Sequence, residues 1–299
     1  MTADLNGVVL LNKPTGPTSF DVVRTVRRSL QMSRVGHAGT LDPLAEGLLV
    51  ICLGEGCKLV PFLQDRAKRY EFRIALGEET ETLDWEGEVT RRAPVPKLTR
   101  EAVEAVLPRF TGRILQVPPI FSAVKQNGVK LYHKARLGES FTPEPREITI
   151  EGLSFVALTE TSLTLTVDCG KGTYVRSLAR DIAESLGTIG TVDMLRRTVC
   201  SGFRLEDALP LHTATLVEDL HEHLVQPAEA LPHMPKIVID GEQEIRVRNG
   251  NPIAPPEKPL SFDDPESPLV ALLSETGGEL VAVARAQENG IQPVRVMLV

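Results

Sequence analysis

The stretch Ser33–Gly54 reads SRVGHAGTLDPLAEGLLVICLG and joins a glycine-rich loop to an uninterrupted apolar run. The apolar run, Leu48–Leu53, has the length and composition of a strand that is buried on both faces. Asp42 lies in the loop between Leu41 and Pro43. An Asp beside a Pro is typical of a solvated turn. Because this turn leads directly into the core, two interpretations stay open: a turn-forming Asp, or a carboxylate placed for chemistry at the rim of the core.

Strand and helix patterns mix on both sides of this stretch without a regular strand–helix–strand repeat. Thr18 or Ser19 can cap a first helix that has Phe20, Val23, Val26 and Leu30 on one face. Further patterns predict strands in GVVLLNK (7–13), KRYEFRIAL (68–76), GRILQVPP (112–119), EITIEGLSFVAL (147–158) and SLTLTVDCG (162–170), and helices in LTREAVEAVLPRF (98–110) and TYVRSLARDIAESLG (173–187). We predict an α+β fold whose mixed, mainly antiparallel sheet is flanked by helices.

The composition changes after Phe203. Residues 204–235 contain one acidic helical segment and a proline-rich stretch, which is typical of a linker. From Lys236 onward, short strand patterns alternate with turns, and IRVRNGNPI (245–253) is interpreted as one of these strands. The spacing predicts a small C-terminal β-barrel. We therefore predict a catalytic domain at 1–235 and a second domain at 236–299.

The charge of the chain is divided unevenly along its length. Net charge is −7, but residues 1–200 carry 26 Lys and Arg against 24 Asp and Glu, whereas residues 201–299 carry 7 against 16. Residues 111–150 hold 6 basic and 3 acidic side chains. The acidity therefore belongs to the C-terminal third, and the net charge does not exclude a basic face that binds nucleic acid.

Several classes of protein are disfavoured by what the sequence lacks. It has no apolar stretch of about 20 residues and no signal-peptide pattern, so we predict a cytoplasmic protein with no membrane contact. Cys52, Cys57, Cys169 and Cys200 show no CxxC spacing, which favours reduced thiols over a zinc site. Phosphate-binding loops, GxGxxG, HExxH and GxSxG motifs are absent. An enzyme with this sequence is expected to work without metal or cofactor.

Asp42 remains the best candidate for a catalytic group. A carboxylate can form a covalent intermediate with an electrophilic carbon if it stays ionised where water is excluded. A neighbouring guanidinium stabilises the ionised form. Arg176, which follows Tyr174 at the start of a helix, is a candidate for that partner, although spacing alone does not show that the two side chains meet.

Five motifs occur in an order that resembles the TruB-type tRNA pseudouridine-55 synthases of bacteria. They are VVLLNKPTGPTSFDVV (8–23), GHAGTLDPLAEGLLVICLGEGCKL (36–59), KRYEFRIALG (68–77), QVPPIFSAVKQNGVKLYHKARLG (116–138) and GKGTYVRSLARDIAESLG (170–187). The resemblance covers residues 7–203, and the tail is similar to the PUA RNA-binding domain that ends members of this family. It implies that uridine 55 in the T loop of tRNA is flipped out and isomerised to pseudouridine.

The resemblance also implies roles for individual residues. Asp42 of GTLDP is the nucleophile, and Arg176 pairs with it. His37 helps to fill the space left by the departing base, Tyr70 stacks on the flipped uracil, Tyr174 lines the pocket and Leu195 packs near the base. Lys13 and Lys58 belong to a basic set around the cleft. IGTVDM (189–194) departs from the family pattern, so the resemblance assigns no role to those residues.

The resemblance implies a substrate and a set of partners. It makes residues 121–150 an arm that folds over the T stem and loop, with Lys125, Lys130, Lys134 and Arg136 placed to contact phosphates. It implies a monomer that needs no protein partner. Three alternatives remain at this point: a guide-RNA-dependent relative, an RNA-folding factor whose catalysis is incidental, and a small-molecule enzyme with an acidic loop.

Overall fold

The strand patterns of the N-terminal two thirds combine into one ten-stranded sheet. The structure is a computed structural model that describes residues 5–122, 125–126, 129–130, 143–211, 216–256, 260–262 and 268–298. The strands of the sheet are β1 (Gly7–Lys13), β2 (Val35–His37), β3 (Glu46–Leu53), β4 (Lys68–Leu76), β7 (Gly112–Gln116), β10 (Arg146–Leu158), β11 (Ser162–Cys169), β12 (Gly190–Cys200), β13 (Phe203–Arg204) and β14 (Leu209–Pro210). Two separate hairpins pair β5 (Glu78–Thr80) with β6 (Val89–Arg92), and β8 (Lys125–Gln126) with β9 (Val129–Lys130).

The large sheet has the strand order β14-β1-β3-β12-β4-β11-β10-β7. Its pairs are antiparallel except β1 with β14 and β12 with β3. Strand β3 is buried along almost its whole length, as the apolar run Leu48–Leu53 predicts. Strand β12 lies between β3 and β4, so it brings its side chains to the middle of the sheet. The predicted α+β fold with a mainly antiparallel sheet is confirmed.

Helices cover the sheet, the first beginning at Thr18, one of its two predicted caps. They are α1 (Ser19–Leu30), α2 (Val60–Gln64), α3 (Arg100–Val106), α4 (Val175–Ser185), α5 (Leu216–Glu222) and α6 (Gly241–Arg248). Thr18 caps α1 through a capping box with Asp21, and Thr99 caps α3. Val23, Val26 and Leu30 are buried as predicted, but Phe20 is 55% exposed and its ring lies against the guanidinium of Arg24.

The C-terminal part forms an open four-stranded sheet in the residues that the structure describes there. The strands β15 (Lys236–Ile239), β16 (Leu269–Ser274), β17 (Leu280–Gln287) and β18 (Gly290–Val296) pair in sequence order. The small C-terminal β structure is confirmed, although its described strands do not close into a barrel. The strand predicted at 245–253 is wrong, because helix α6 occupies its first residues. Asp240 and Gln243 form a capping box that begins this helix.

A shared apolar core joins the C-terminal sheet to the large sheet. Leu280, Val283 and Met297 pack in one cluster with Val8 and Leu48. The boundary at residues 235 and 236 stays a prediction, since this cluster extends across it. No helix in the described part of the chain is both long and apolar enough to cross a membrane.

Candidate active site

A cleft of about 600 Å³ opens beside strand β4 and the first turn of helix α4. Five of the predicted site residues line it: Asp42, Tyr70, Tyr174, Arg176 and Leu195. Asp42 comes from the loop before β3, Tyr70 from β4 and Leu195 from β12. The strand pairing of β4 with β12 therefore brings together side chains that are far apart in the sequence.

Asp42 and Arg176 form a direct ion pair in this cleft. Oδ2 of Asp42 lies 2.8 Å from Nη2 of Arg176. The Arg176 side chain is 6% exposed, whereas the Asp42 side chain is 37% exposed and faces the cleft. The guanidinium is thus a fixed part of the protein interior, and the carboxylate is the accessible member of the pair. Water reaches this carboxylate until a ligand covers it.

Three further oxygen atoms fix the Arg176 guanidinium. Nη1 donates to Thr82 O at 2.8 Å and lies 3.1 Å from Oδ2 of Asp84, while Nη2 donates to Phe121 O at 3.1 Å. Asp84 is itself buried and accepts a hydrogen bond from the Thr82 hydroxyl at 2.6 Å. Arg176 therefore lies between two carboxylates, and the buried Asp84 prevents it from turning away from Asp42. Sequence reasoning missed Asp84, because nothing in the sequence distinguishes it from the other acidic residues of the same turn.

The backbone of the Asp42 loop is anchored on both sides of the carboxylate. On one side, the Ser19 hydroxyl donates to Leu41 O at 3.0 Å and accepts from Leu41 N at 2.8 Å. On the other side, Pro43 O accepts from Gly16 N at 2.9 Å and from Nζ of Lys13 at 3.3 Å. Asp42 is therefore held within a loop that cannot shift without breaking several buried hydrogen bonds.

Arg197 anchors the same loop from within the sheet. This side chain is fully buried, and its guanidinium donates to Leu48 O at 2.7 Å, Gly39 O at 3.1 Å and Thr40 O at 3.3 Å. It also lies 3.4 Å from the Tyr70 hydroxyl, because Arg197 and Tyr70 are paired residues of β12 and β4. Sequence reasoning did not assign Arg197 to the site, although it shares a strand face with Leu195.

A glycine permits the close approach of the two strands at this point. Gly47 in β3 pairs with Arg197 in β12, and it has a φ of +103°. A Cβ atom at Gly47 would lie 2.4 Å from Arg197 O. Only glycine is compatible with this position.

Tyr70 and Tyr174 occupy different walls of the cleft. Tyr70 is 8% exposed, and burial raises the pKa of its hydroxyl to about 12, so the phenol is neutral at physiological pH. Tyr174 precedes helix α4, and its backbone N–H and C=O are both bonded to the Gln116 side chain, at 2.8 and 3.1 Å. Gln116 is buried at the end of β7 and fixes the start of the helix that carries Arg176.

Lys13 lies beneath the cleft, not in its lining. The side chain is fully buried, and Nζ donates to Pro14 O and Pro17 O at 2.9 Å as well as to Pro43 O. Burial lowers the pKa of Lys13 to about 8, and the nearby Asp42 carboxylate opposes that shift. The expected basic residue therefore supports the loop from below and does not face a ligand.

His37 and Lys58 are not brought to the cleft. His37 lies on β2, its buried Nδ1 has no hydrogen-bond partner among the described residues, and burial lowers its pKa below the usual value. Lys58 lies at the contact with the C-terminal sheet, where Nζ donates to Val296 O at 2.7 Å and pairs with Glu55 at 2.6 Å. The placement of Lys58 around the cleft is corrected, because its ammonium is used to attach the C-terminal sheet.

The predicted arm is only partly described. The hairpin β8–β9 lies within it, but Lys134 and Arg136 are outside the described residues, and the side chains of Lys125 and Lys130 are not described either. Cys52, Cys57, Cys169 and Cys200 form no disulfide bonds. No three His, Cys, Asp or Glu side chains of the described ranges are placed to hold a metal ion.

The fold has relatives among solved structures. A Cbf5–Nop10–Gar1 complex matches with a TM-score of 0.74 and 23% identity, over 98% of this chain and 85% of the other. An H/ACA RNP bound to a substrate RNA containing 2'-deoxyuridine matches with a TM-score of 0.73 and 21% identity, over 99% and 86%. At these identities the likeness concerns the fold.

Sequence comparison is more specific. Residues 27–175 match the model of the TruB family pseudouridylate synthase N-terminal domain. The protein named tRNA pseudouridine synthase B from Caulobacter vibrioides is 41% identical over 98% of this chain and 96% of its own length. The protein of the same name from Sinorhizobium medicae is 39% identical over 98% and 96%.

These relatives and the fold define the chain as a pseudouridine synthase, an isomerase that converts uridine in RNA to pseudouridine. Within that class the chain belongs to the TruB family. The matched relatives are named for a tRNA substrate, and each match covers nearly the whole of both chains.

Proposed function

We propose that this enzyme isomerises uridine 55 in the T loop of tRNA, and that Asp42 is the catalytic residue. The observation that carries the proposal is the Asp42–Arg176 pair, whose carboxylate faces a cleft between aromatic and apolar side chains. A uridine held within a folded loop must leave its stack before a side chain can reach C1′. The cleft offers room for one everted nucleotide, with the sugar directed to Asp42.

The uracil is held by aromatic and apolar contacts and not by a charged side chain. Tyr70 and Leu195 form its apolar contacts, and Tyr174 closes the neighbouring wall. Unstacking a base costs a few kcal/mol, and contact with an aromatic ring returns about 1–3 kcal/mol per base. The neutral Tyr70 phenol adds no charge beside the base. Such a surface allows a detached uracil to rotate while preventing its escape.

The reaction exchanges one bond of the uracil for another. Asp42 acts on the nucleoside, either by attack on C1′ or by removal of a ribose proton, and the N1–C1′ bond breaks. The uracil rotates and C5 joins C1′; this step releases the Asp42 carboxylate from C1′ in the first route, and Asp42 returns the proton to the ribose in the second. The proton on C5 then leaves for solvent while N1 gains one. Both routes need an ionised Asp42, and Arg176 stabilises that form in the covered cleft. Neither route requires a metal or a nucleotide cofactor.

The RNA extends beyond the cleft. We propose that the arm at 121–150 contacts the T stem and that residues 236–299 form a second RNA-binding domain within a monomeric enzyme. Phosphate contacts of this kind position the RNA without reading its sequence. The C-terminal sheet is attached through Glu55, whose carboxylate accepts from Leu298 N at 2.6 Å and pairs with Lys58.

The proposal is tested with tRNA that carries tritium at C5 of its uracils. We expect the enzyme to release one tritium per tRNA with no added cofactor, and carbodiimide mapping to place a single pseudouridine at position 55. A transcript with cytidine at position 55 is the control and releases no tritium. Release from a different uridine, or no release from unmodified tRNA, contradicts the proposal.

A further inference from the structure

Two lysines that the catalytic account leaves unused lie together in the lining of the cleft. Lys68 begins strand β4, and its strand partner on β11 is Cys169. Lys171 follows in the turn that leads from Cys169 to helix α4. Both lysines line the same cleft as Asp42. A cleft that holds a catalytic carboxylate therefore also carries two cationic groups on the wall nearest β11.

Lys68 is held close to the catalytic loop. Its Nζ donates to Gln64 O and Arg66 O, both at 2.9 Å, and burial lowers its pKa below the usual value. Its methylene stem passes by the loop, since a Cβ atom at Gly39 would lie 3.7 Å from Cε. The ammonium is thus held by two carbonyl groups, and the side chain lies beside Gly39, which is three residues before Asp42.

Lys171, unlike Lys68, is held by an exposed ion pair. Its side chain is 69% exposed, and Nζ lies 2.9 Å from Oδ1 of Asp65, which is 61% exposed. An exposed ion pair of this kind contributes about 0–1 kcal/mol, so a phosphate group can displace the Asp65 carboxylate at little cost. Asp65 therefore acts as a replaceable counterion on the rim of the cleft.

We infer that Lys68 and Lys171 form a subsite for the backbone phosphodiester adjacent to the everted uridine. This inference rests on the proposed function. A nucleotide that enters with its base against Tyr70 and its C1′ toward Asp42 leaves its phosphates at the rim, where the two ammonium groups lie. Asp65 pairs with Lys171 in the free enzyme and gives it up to the RNA.

Binding experiments test the subsite in the full chain. T-arm RNA is titrated at several salt concentrations against the Asp42→Asn enzyme, which prevents turnover. Adding Lys171→Ala is expected to weaken binding about fivefold and to lower the slope of log Kd against log salt by about one. Adding Asp65→Asn is expected to tighten binding about twofold, because the competing carboxylate is lost. Lys97→Ala removes an exposed lysine outside the cleft lining and is expected to change neither quantity.

A neutral linkage in the RNA identifies the ligand. A methylphosphonate placed next to the target uridine is expected to weaken binding of the enzyme with Lys171 and to have no further effect once Lys171→Ala is present. Lys68→Gln is expected to lower the salt slope in the same way. Unchanged affinity and slope for Lys171→Ala, or an equal loss with the neutral linkage in both enzymes, overturns the subsite. Failure of the enzyme with Asp42 intact to isomerise the RNA would instead refute the proposed function.

Discussion

Asp42→Asn is expected to lower the single-turnover rate of pseudouridine formation by about 10⁴-fold or more, which is the loss seen when a group central to catalysis is removed. The amide keeps the shape of the side chain but has no negative charge to act on the nucleoside. RNA affinity is expected to change by less than about threefold, because phosphate and stacking contacts lie elsewhere. The rate is measured by tritium release with enzyme in excess, and affinity by filter binding.

Asp193→Asn is the matched control for this variant. The Asp193 carboxylate is partly exposed and pairs with Arg73 at 2.8 Å, outside the cleft lining. We expect the Asp193→Asn enzyme to release tritium at the same rate as the enzyme without a substitution. Full turnover by the Asp42→Asn enzyme would remove the carboxylate from the mechanism.

Arg197→Met is expected to lower the free energy of unfolding by about 3–5 kcal/mol. Methionine fills part of the volume, but it donates no hydrogen bonds to Gly39 O, Thr40 O and Leu48 O, which remain buried in the strand and loop. Each buried carbonyl left without a partner costs about 1–3 kcal/mol. Because the same loop carries Asp42, we also expect the remaining folded enzyme to turn over more slowly.

Arg196→Met provides the comparison one residue away on the opposite strand face. The Arg196 side chain is 46% exposed and lies 3.6 Å from Glu46. Its loss is expected to change the free energy of unfolding by no more than about 0.5 kcal/mol. Urea denaturation of both variants measures the difference. Equal stability of the two would show that Arg197 does not hold the loop.

The sequence was sufficient to predict the strands that build the large sheet, because their apolar periodicity agrees with their burial in the structure. The run at 48–53 predicted a fully buried strand, and KRYEFRIAL predicted the strand at 68–76, in which alternate side chains from Tyr70 to Leu76 are buried. The strand predicted at 245–253 failed for a specific reason. Ile245 and Val247 are β-branched and favour a strand locally, but the capping box of Asp240 and Gln243 begins a helix that includes both residues.

The candidate site was predicted less evenly. The pairing of Asp42 with Arg176 depends on a long-range contact, so family resemblance indicated it whereas spacing did not. Asp84 and Gln116 were missed because their role is to position Arg176 and Tyr174, and nothing in the local pattern distinguishes such residues from exposed polar ones. Arg197 could have been predicted to face inward, because it lies two residues from the inward-facing Leu195 on the same strand.

The position of Lys58 in a motif did not determine where its side chain points. A lysine near a cleft motif is expected to face RNA, but its direction depends on what packs against it in three dimensions. Here the end of β18 offers a carbonyl group, and Glu55 offers a carboxylate. The surrounding structure therefore commits the ammonium to the contact between the two sheets.

A crystal structure of the Asp42→Asn enzyme with unmodified T-arm RNA is the most direct test of the central claim. We predict that the uridine at position 55 lies in the cleft, with its C1′ about 3–3.5 Å from the side-chain amide at position 42, which is the separation that a reacting pair requires. A uridine that remains stacked in the loop, or a C1′ out of reach of position 42, would contradict the account.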